Sequence, residues 1–289
     1  MTAMSSLHGG VLRKTETPGT TPSWSEAQLG HRTLIAFNCA LTQWSSRGAL
    51  LEGGGVVLCA SGTWIPVVAN GAFRSDDSLN GAALVSAADA FFSGLQRGFT
   101  VKVRDSGEDD DLRIACREAG LEAFGDRVPE MICRTPLPAA APPEDVTVCL
   151  VDDEAGVREF VSVNAEAYAT YGMPPEVLVD VFEDVPAVLA DPAASIVVAR
   201  RDDQPVATAM VYESDGVASL QWVGTVPAAR GTGLGALVTV AVTNLAFARG
   251  ASSCSLQASP MGVSVYGRLG YETAYHYEEY VRWPKPAAR

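Results

Sequence analysis

The chain has 289 residues, of which 47% are hydrophobic and 19% charged, enough apolar material to bury two cores of ordinary size. Its net charge of −13 argues against broad nucleic-acid binding, which needs a basic face to neutralise phosphates. No apolar run is long enough to span a membrane and no signal peptide is recognisable, so a cytoplasmic protein that binds neither membrane nor nucleic acid is expected.

Taken in chain order, residues 1–22 are rich in Ser, Thr, Gly and Pro and read as a disordered tail. Val56–Ala60 and Trp64–Ala69 read as paired strands, 82–96 as a helix and Phe99–Arg104 as a strand. A linker, Pro138-Ala-Ala-Ala-Pro-Pro143, is expected between one domain over 23–137 and another over 144–289. Beyond it come a strand at 146–151, a helix at 154–168, and antiparallel strands at 195–200 and 205–212 around the polar turn Arg201-Asp-Asp-Gln204. A strand over 218–226, in which Gly224 marks a bulge or splay, precedes a helix over 234–248 that Arg249 and Gly250 close. The next strand covers 252–258. Six scattered cysteines (Cys39, Cys59, Cys116, Cys133, Cys149, Cys254), without a Cys-x-x-Cys pair or a histidine cluster, point to neither a structural metal nor a disulfide framework.

The most informative segment joins the 218–226 strand to the 234–248 helix. It reads Arg230-Gly231-Thr232-Gly233-Leu234-Gly235-Ala236. Its glycines permit backbone conformations closed to residues with a Cβ, so successive N–H groups can face one concavity at the positive end of a helix. An anionic ligand suits such a loop, and so does a plain glycine turn. A P-loop would need Gly-Lys-Ser/Thr where Gly235 is followed by Ala236-Leu237. A dinucleotide fold wants an acid about 20 positions on, where 251–258 has none. A Gly-x-Ser-x-Gly elbow is absent, and only His8, His31 and His276 exist to serve a hydrolase as base.

Arg230-Gly-Thr-Gly233-Leu-Gly235, preceded by Val226-Pro227, resembles the Arg/Gln-x-x-Gly-x-Gly/Ala signature of the GNAT acetyltransferases. A second segment agrees, because Tyr266 stands four residues before Gly270-Tyr271 as the family's catalytic tyrosine does. The resemblance implies an α+β (α/β mixed) fold of two GNAT-like domains, each a mostly antiparallel mixed sheet with a splayed central strand pair flanked by helices. It implies acetyl-CoA or another acyl-CoA as donor, with the main chain of Val223, Gly224 and Thr225 on the pantetheine arm and Arg230 to Ala236 on the pyrophosphate.

Acyl transfer needs an acceptor amine that has lost a proton and a thiolate that gains one. Tyr266 is the expected proton donor, since a phenol with a pKa of about 10 can serve a thiol of roughly 8.5. The family's strand carboxylate is missing from Ala218-Ser-Leu-Gln-Trp222, which leaves Glu213 as a candidate base, or Gln221 and Ser219 as groups ordering a water. Tyr168, Tyr171 and Met173 fall where relatives form the acceptor pocket.

The first half repeats the order of elements without the chemistry. Cys116 stands where Tyr266 stands, and 77–88 carries no cradle, so residues 23–137 read as a degenerate GNAT-like domain. Two functions follow: an acetyl-CoA-dependent N-acetyltransferase acting on a small-molecule or peptide amine, or a non-catalytic acyl-CoA-binding or regulatory protein. The sequence leaves acceptor and oligomeric state open.

Overall fold

The computed structural model describes residues 25–139 and 141–284. The tail expected over 1–22 lies outside them, and so does Ala140 of the expected linker. In chain order the first half contains α1 (Glu26–Gln43), β1 (Ala49–Gly53), β2 (Val56–Ala60), α2 (Pro66–Ala69), β3 (Asn70–Arg74), α3 (Gly81–Gly94), β4 (Phe99–Arg104), α4 (Asp110–Glu118), β5 (Glu122–Ala123) and β6 (Val128–Cys133). The second contains β7 (Val146–Leu150), α5 (Glu154–Ala169), α6 (Pro175–Val181), α7 (Val185–Ala190), β8 (Ala194–Arg201), β9 (Gln204–Ser214), β10 (Val217–Thr225), α8 (Leu234–Ala248), β11 (Cys254–Gln257), α9 (Val263–Leu269) and β12 (Glu272–Arg282).

The mixed α+β architecture is built on one continuous sheet. Its order is β1-β2-β3-β4-β12-β6-β11-β10-β9-β8-β7, with β5 paired to β12. The two parallel pairs are β3 with β4 and β10 with β11, each joined by a helix that crosses one sheet face. All other pairs are antiparallel. At the centre the halves exchange their last strands. β6 of the first half lies between β11 and β12, while β12, the last strand of the chain, pairs with β4 of the first half. Main-chain hydrogen bonds therefore run unbroken through the seam, and neither half's sheet ends there as an open edge.

Each face of the sheet buries its own apolar cluster. On one face, α8 packs Val238, Val242 and Ala246 onto Ala207, Ala209, Leu220 and Leu256. On the other, α5 lays Val157, Phe160 and Val161 against Ile196, Val198 and Met210. In the first half α3 and α4 cover Leu58, Ala72 and Val101. Helix α1 serves both halves: Leu34 and Ile35 reach Val57 and Phe73, while Phe37, Leu41 and Trp44 join the α5 cluster. Burying side chains of this size contributes roughly 1.5–3 kcal/mol each, so α1 fastens the two halves together. A capping box formed by Ser25 and Gln28 starts it.

Two expectations change. Helix α1 was not anticipated, because its apolar residues serve two clusters and do not form one clean stripe. Trp64–Ala69 is not a strand; Pro66 opens the short helix α2, and β2 takes β3 as its partner, from Val56↔Arg74 to Ala60↔Asn70. Proline has no N–H to give a ladder and its fixed φ suits a first helical turn, which outweighs the β-branched character of Ile65 and Val67.

Candidate active site

The site grows out of an irregularity in β10. Strand pairing with β9 shifts register between Gln221 and Gly224, and Trp222 at the shift has a φ of +50°. That value is rare for a bulky residue and marks a local kink. Parallel pairing with β11 covers only 218–220 against 254–256, and the two strands share no further pairing beyond it. Gly224 is required here by close approach. A Cβ on it would lie 2.5 Å from the Asn164 Oδ1 of α5.

Past β10 a single 3₁₀ turn at Pro227–Ala229 leads into the glycine loop. Gly231 and Gly233 have φ of +75° and +84°, the left-handed region that favours glycine. Gly233 is the N-cap of α8 and offers no side-chain acceptor, so the first N–H groups of the helix stay open to an external partner. Gly235 sits where a Cβ would come 3.2 Å from Thr225 Oγ1.

The Arg230 guanidinium is turned inward. Nη2 donates to Ala167 O at 2.9 Å and to Thr170 Oγ1 at 3.1 Å, and Nε donates to Thr225 O at 3.2 Å. A cation placed on the last carbonyls of α5 matches that helix's dipole and ties the loop to it.

This loop forms one wall of a cleft of about 530 Å³. Val223, Thr225, Arg230, Gly231, Gly233, Leu234, Gly235 and Ala236 line it, together with Tyr168, Tyr171 and Tyr266. Tyr266 comes from α9 and is admitted by Gly262, where a Cβ would stand 2.6 Å from Tyr266 Cε2. Burial, reinforced by Tyr171, pushes the Tyr266 phenol up to about 12, so it carries its proton throughout the physiological range. Tyr168 is raised further by burial, with Tyr266 and Tyr171 adding to the effect. Its ring also makes an edge contact with Trp222, centroids 5.3 Å apart, which braces the β10 kink.

Not every predicted site residue reaches the cleft. Gly224 lies beneath it against Asn164, and Thr232 bonds back to Ala229 O at 2.7 Å. Glu213 sits near the far end of β9, pairing at 3.1 Å with Arg249 Nε, and is absent from the cleft wall. Gln221 donates to Ser219 Oγ at 2.7 Å on the face beneath α1. Met173 packs into the α5 cluster. Conversely, Gln257, Ser259 and Arg268 line the cleft without having been singled out. Gln257 ends a parallel strand beside a helix crossover, the place where ligands collect in such sheets, and that signal was available. Among the described residues no cluster of metal-ligating side chains occurs, and no helix is long and apolar enough to cross a membrane.

Comparison with known proteins agrees with this geometry. Residues 138–267, which hold the loop and Tyr266, match the model of the acetyltransferase (GNAT) domain. A GCN5-related N-acetyltransferase from Kribbella flavida superposes with a TM-score of 0.65 at 21% identity, covering 89% of this chain and 96% of its own. One from Sphaerobacter thermophilus gives 0.58 at 17%, covering 91% and 94%. A tandem GNAT protein from the clavulanic acid biosynthesis pathway gives 0.58 at 14%, covering 91% and 97%. No curated protein matches. The likeness to these structures shows a shared fold over nearly the whole chain, and the sequence match lies over the half that carries the cleft. Residues 138–267 thus match the GNAT acetyltransferase domain in sequence, and the chain around them shares the fold of these structures.

Proposed function

We propose that this protein transfers an acetyl group from acetyl-CoA to a primary amine, with 144–289 as the catalytic domain and 23–137 as a degenerate GNAT-like partner. The observation that carries the reading is the uncapped N-terminus of α8, set behind two positive-φ glycines, in a cleft that also holds the Tyr266 phenol. Backbone N–H groups there suit a pyrophosphate, and they supply what an acidic chain lacks overall. Arg268 at the cleft wall is a second cation for the CoA phosphates beside Arg230, whose Nε and Nη2 are engaged with Ala167, Thr170 and Thr225. The unpaired stretch of β10 around Val223 suits the amide groups of the pantetheine arm.

With the donor so held, the amine attacks the thioester carbonyl directly, a C–N bond replaces the C–S bond, and Tyr266 donates its proton to the departing sulfur. The phenol carries its proton throughout the physiological range, and such an acid typically contributes about 100- to 10,000-fold. Replacement Tyr266→Phe is therefore expected to lower kcat by that factor, roughly 3–5 kcal/mol of barrier, with CoA affinity unchanged. Release of free CoA across an amine and peptide panel is the readout, and an unchanged kcat would remove the assigned role.

One observation favours a second reading, a non-catalytic acyl-CoA-binding protein: among the described residues no carboxylate lines the cleft. If acetyl-CoA binds and no amine in the panel is acetylated, that reading replaces the first.

A further inference from the structure

The proton of the acceptor amine has no evident destination in the cleft, yet a carboxylate stands directly behind its wall. The antiparallel register of β6 with β11 sets Glu130 opposite Gln257, which lines the cleft. Glu130 is 1% exposed, and its Oε2 has no hydrogen-bond partner among the described residues. Nor does the neighbouring buried Ser255 hydroxyl. A buried carboxylate oxygen without a partner is costly to keep.

Polar side chains from the neighbouring strands and from α1 surround Glu130. Gln257 Oε1 accepts from Lys102 Nζ at 3.0 Å, and Lys102 also pairs with Glu279. From β12, Tyr275 and Tyr277 face Glu130, their hydroxyls 2.9 Å apart, and the Tyr277 hydroxyl meets His31 Nδ1 at 2.8 Å. Helix α1 approaches at Gly30, where a Cβ would lie 3.3 Å from Glu130 Oε1. Burial pushes the Glu130 carboxyl up to about 7, against the pull of Ser255, Gln257 and Lys102. It can thus change protonation state near neutral pH while cations and hydroxyls accommodate either form.

We propose that Glu130, brought from the first half by strand exchange, takes the proton of the acceptor ammonium, with Gln257 as the positioning residue between it and the cleft. This rests on the acetyltransferase reading. In the step, one ammonium N–H proton passes through a bridging water held beside Gln257 to the Glu130 carboxylate, the freed amine attacks the thioester carbon, and the C–S bond breaks. The second N–H proton balances the one that Tyr266 delivers to sulfur, leaving amide, CoA thiol and protonated Glu130, which then loses its proton to solvent. The first half is on this account part of the catalytic apparatus, although it carries no cradle.

The test uses the full chain with acetyl-CoA and a panel of spermidine, benzylamine and an alanyl peptide. For the wild type, kcat/KM rises through a limb near pH 7, because the ionised carboxylate is the active form. In Glu130→Gln that limb disappears and kcat falls about 100- to 10,000-fold, with Kd for CoA unchanged; Glu130→Asp recovers part of the rate. An active wild type whose rate and pH profile survive Glu130→Gln overturns the proposal and leaves the acetyltransferase reading standing. A wild type that binds CoA and acetylates no amine at any pH removes both. Should Glu130→Gln not fold, carbon-13 NMR of the wild-type glutamate carboxyls decides: a Glu130 signal that titrates near 7 supports the assignment, and one ionised down to pH 5 overturns it.

Discussion

Two helix N-termini occupy matching places in the sheet and have opposite fates. Both α3 and α8 follow a strand, cross one sheet face and return to a parallel neighbour. At α8 the N-cap is Gly233, no side chain supplies an acceptor, and the glycine loop opens into the cleft. At α3 the protein supplies its own anion. Asn80 Oδ1 accepts from Ala82 N at 2.9 Å, and Asp111 Oδ2 accepts from Gly81 N at 2.7 Å. Helix α4 closes over the end, so that a Cβ on Gly81 would come 2.5 Å from Leu112 Cα.

Behind Asp111, a buried network fixes the arrangement. Arg74 bonds both Asp111 and Asp109, and Arg104 bonds Asp109 and Asp77. The same backbone device is thus either left open or satisfied internally, and a few side chains decide which. Cys116, the residue aligned with Tyr266 in the sequence, is fully buried in α4.

The largest expected effect that sharpens this contrast comes from Asp109→Ala. It removes the carboxylate shared by two guanidinium groups that are each 2% exposed, leaving Arg74 with Asp111 and Arg104 with Asp77, and loss of one partner in such a buried array typically costs about 3–5 kcal/mol. Thermal unfolding should show the loss while the folded fraction still binds CoA. Burial opposes ionisation of Asp109, but Arg104 and Arg74 outweigh it and hold the carboxyl well below the usual carboxylate range. A depressed folded pKa gives stability that is present above the unfolded value, about 3.9, and is lost as pH falls below it. That acid limb should be missing from Asp109→Asn in denaturant titrations.

A smaller effect is expected from Gly233→Val. A β-branched residue at φ +84° adds strain of about 1–3 kcal/mol and pushes bulk toward the anion site. Calorimetric CoA affinity should drop at least tenfold, and unchanged affinity would remove the loop as the binding element. Asn80→Ala is the mildest, with about 1 kcal/mol lost from the α3 cap and no change in CoA binding. A loss of CoA affinity in Asn80→Ala would break the comparison, since it would make the α3 end a ligand site after all.

Much of this was legible because it is local. Glycine loop, strand before it and helix after it are contiguous, and the backbone conformations of Gly231 and Gly233 follow from residue type within one short segment. The helix over 234–248 and the strand over Phe99–Arg104 were likewise readable from their own residues. What failed to show was decided by partners distant along the chain. Glu213 is a nearby acid in sequence, yet β9 carries it to Arg249. Arg230 belongs to the cradle motif, yet α5, some sixty residues earlier, offers carbonyls that turn its side chain inward.

The sequence by itself determined the glycine loop and the open helix end that follows it, because such a loop is a property of consecutive backbone units. Only the tertiary structure decided what stands around it. Glu130 and Gln257 face each other because β6 crosses into the second half's sheet, and no periodicity in either segment encodes that pairing. Strand partners are chosen by register and burial over the whole sheet, so an acid far upstream in the chain comes to stand opposite a residue of the cleft wall.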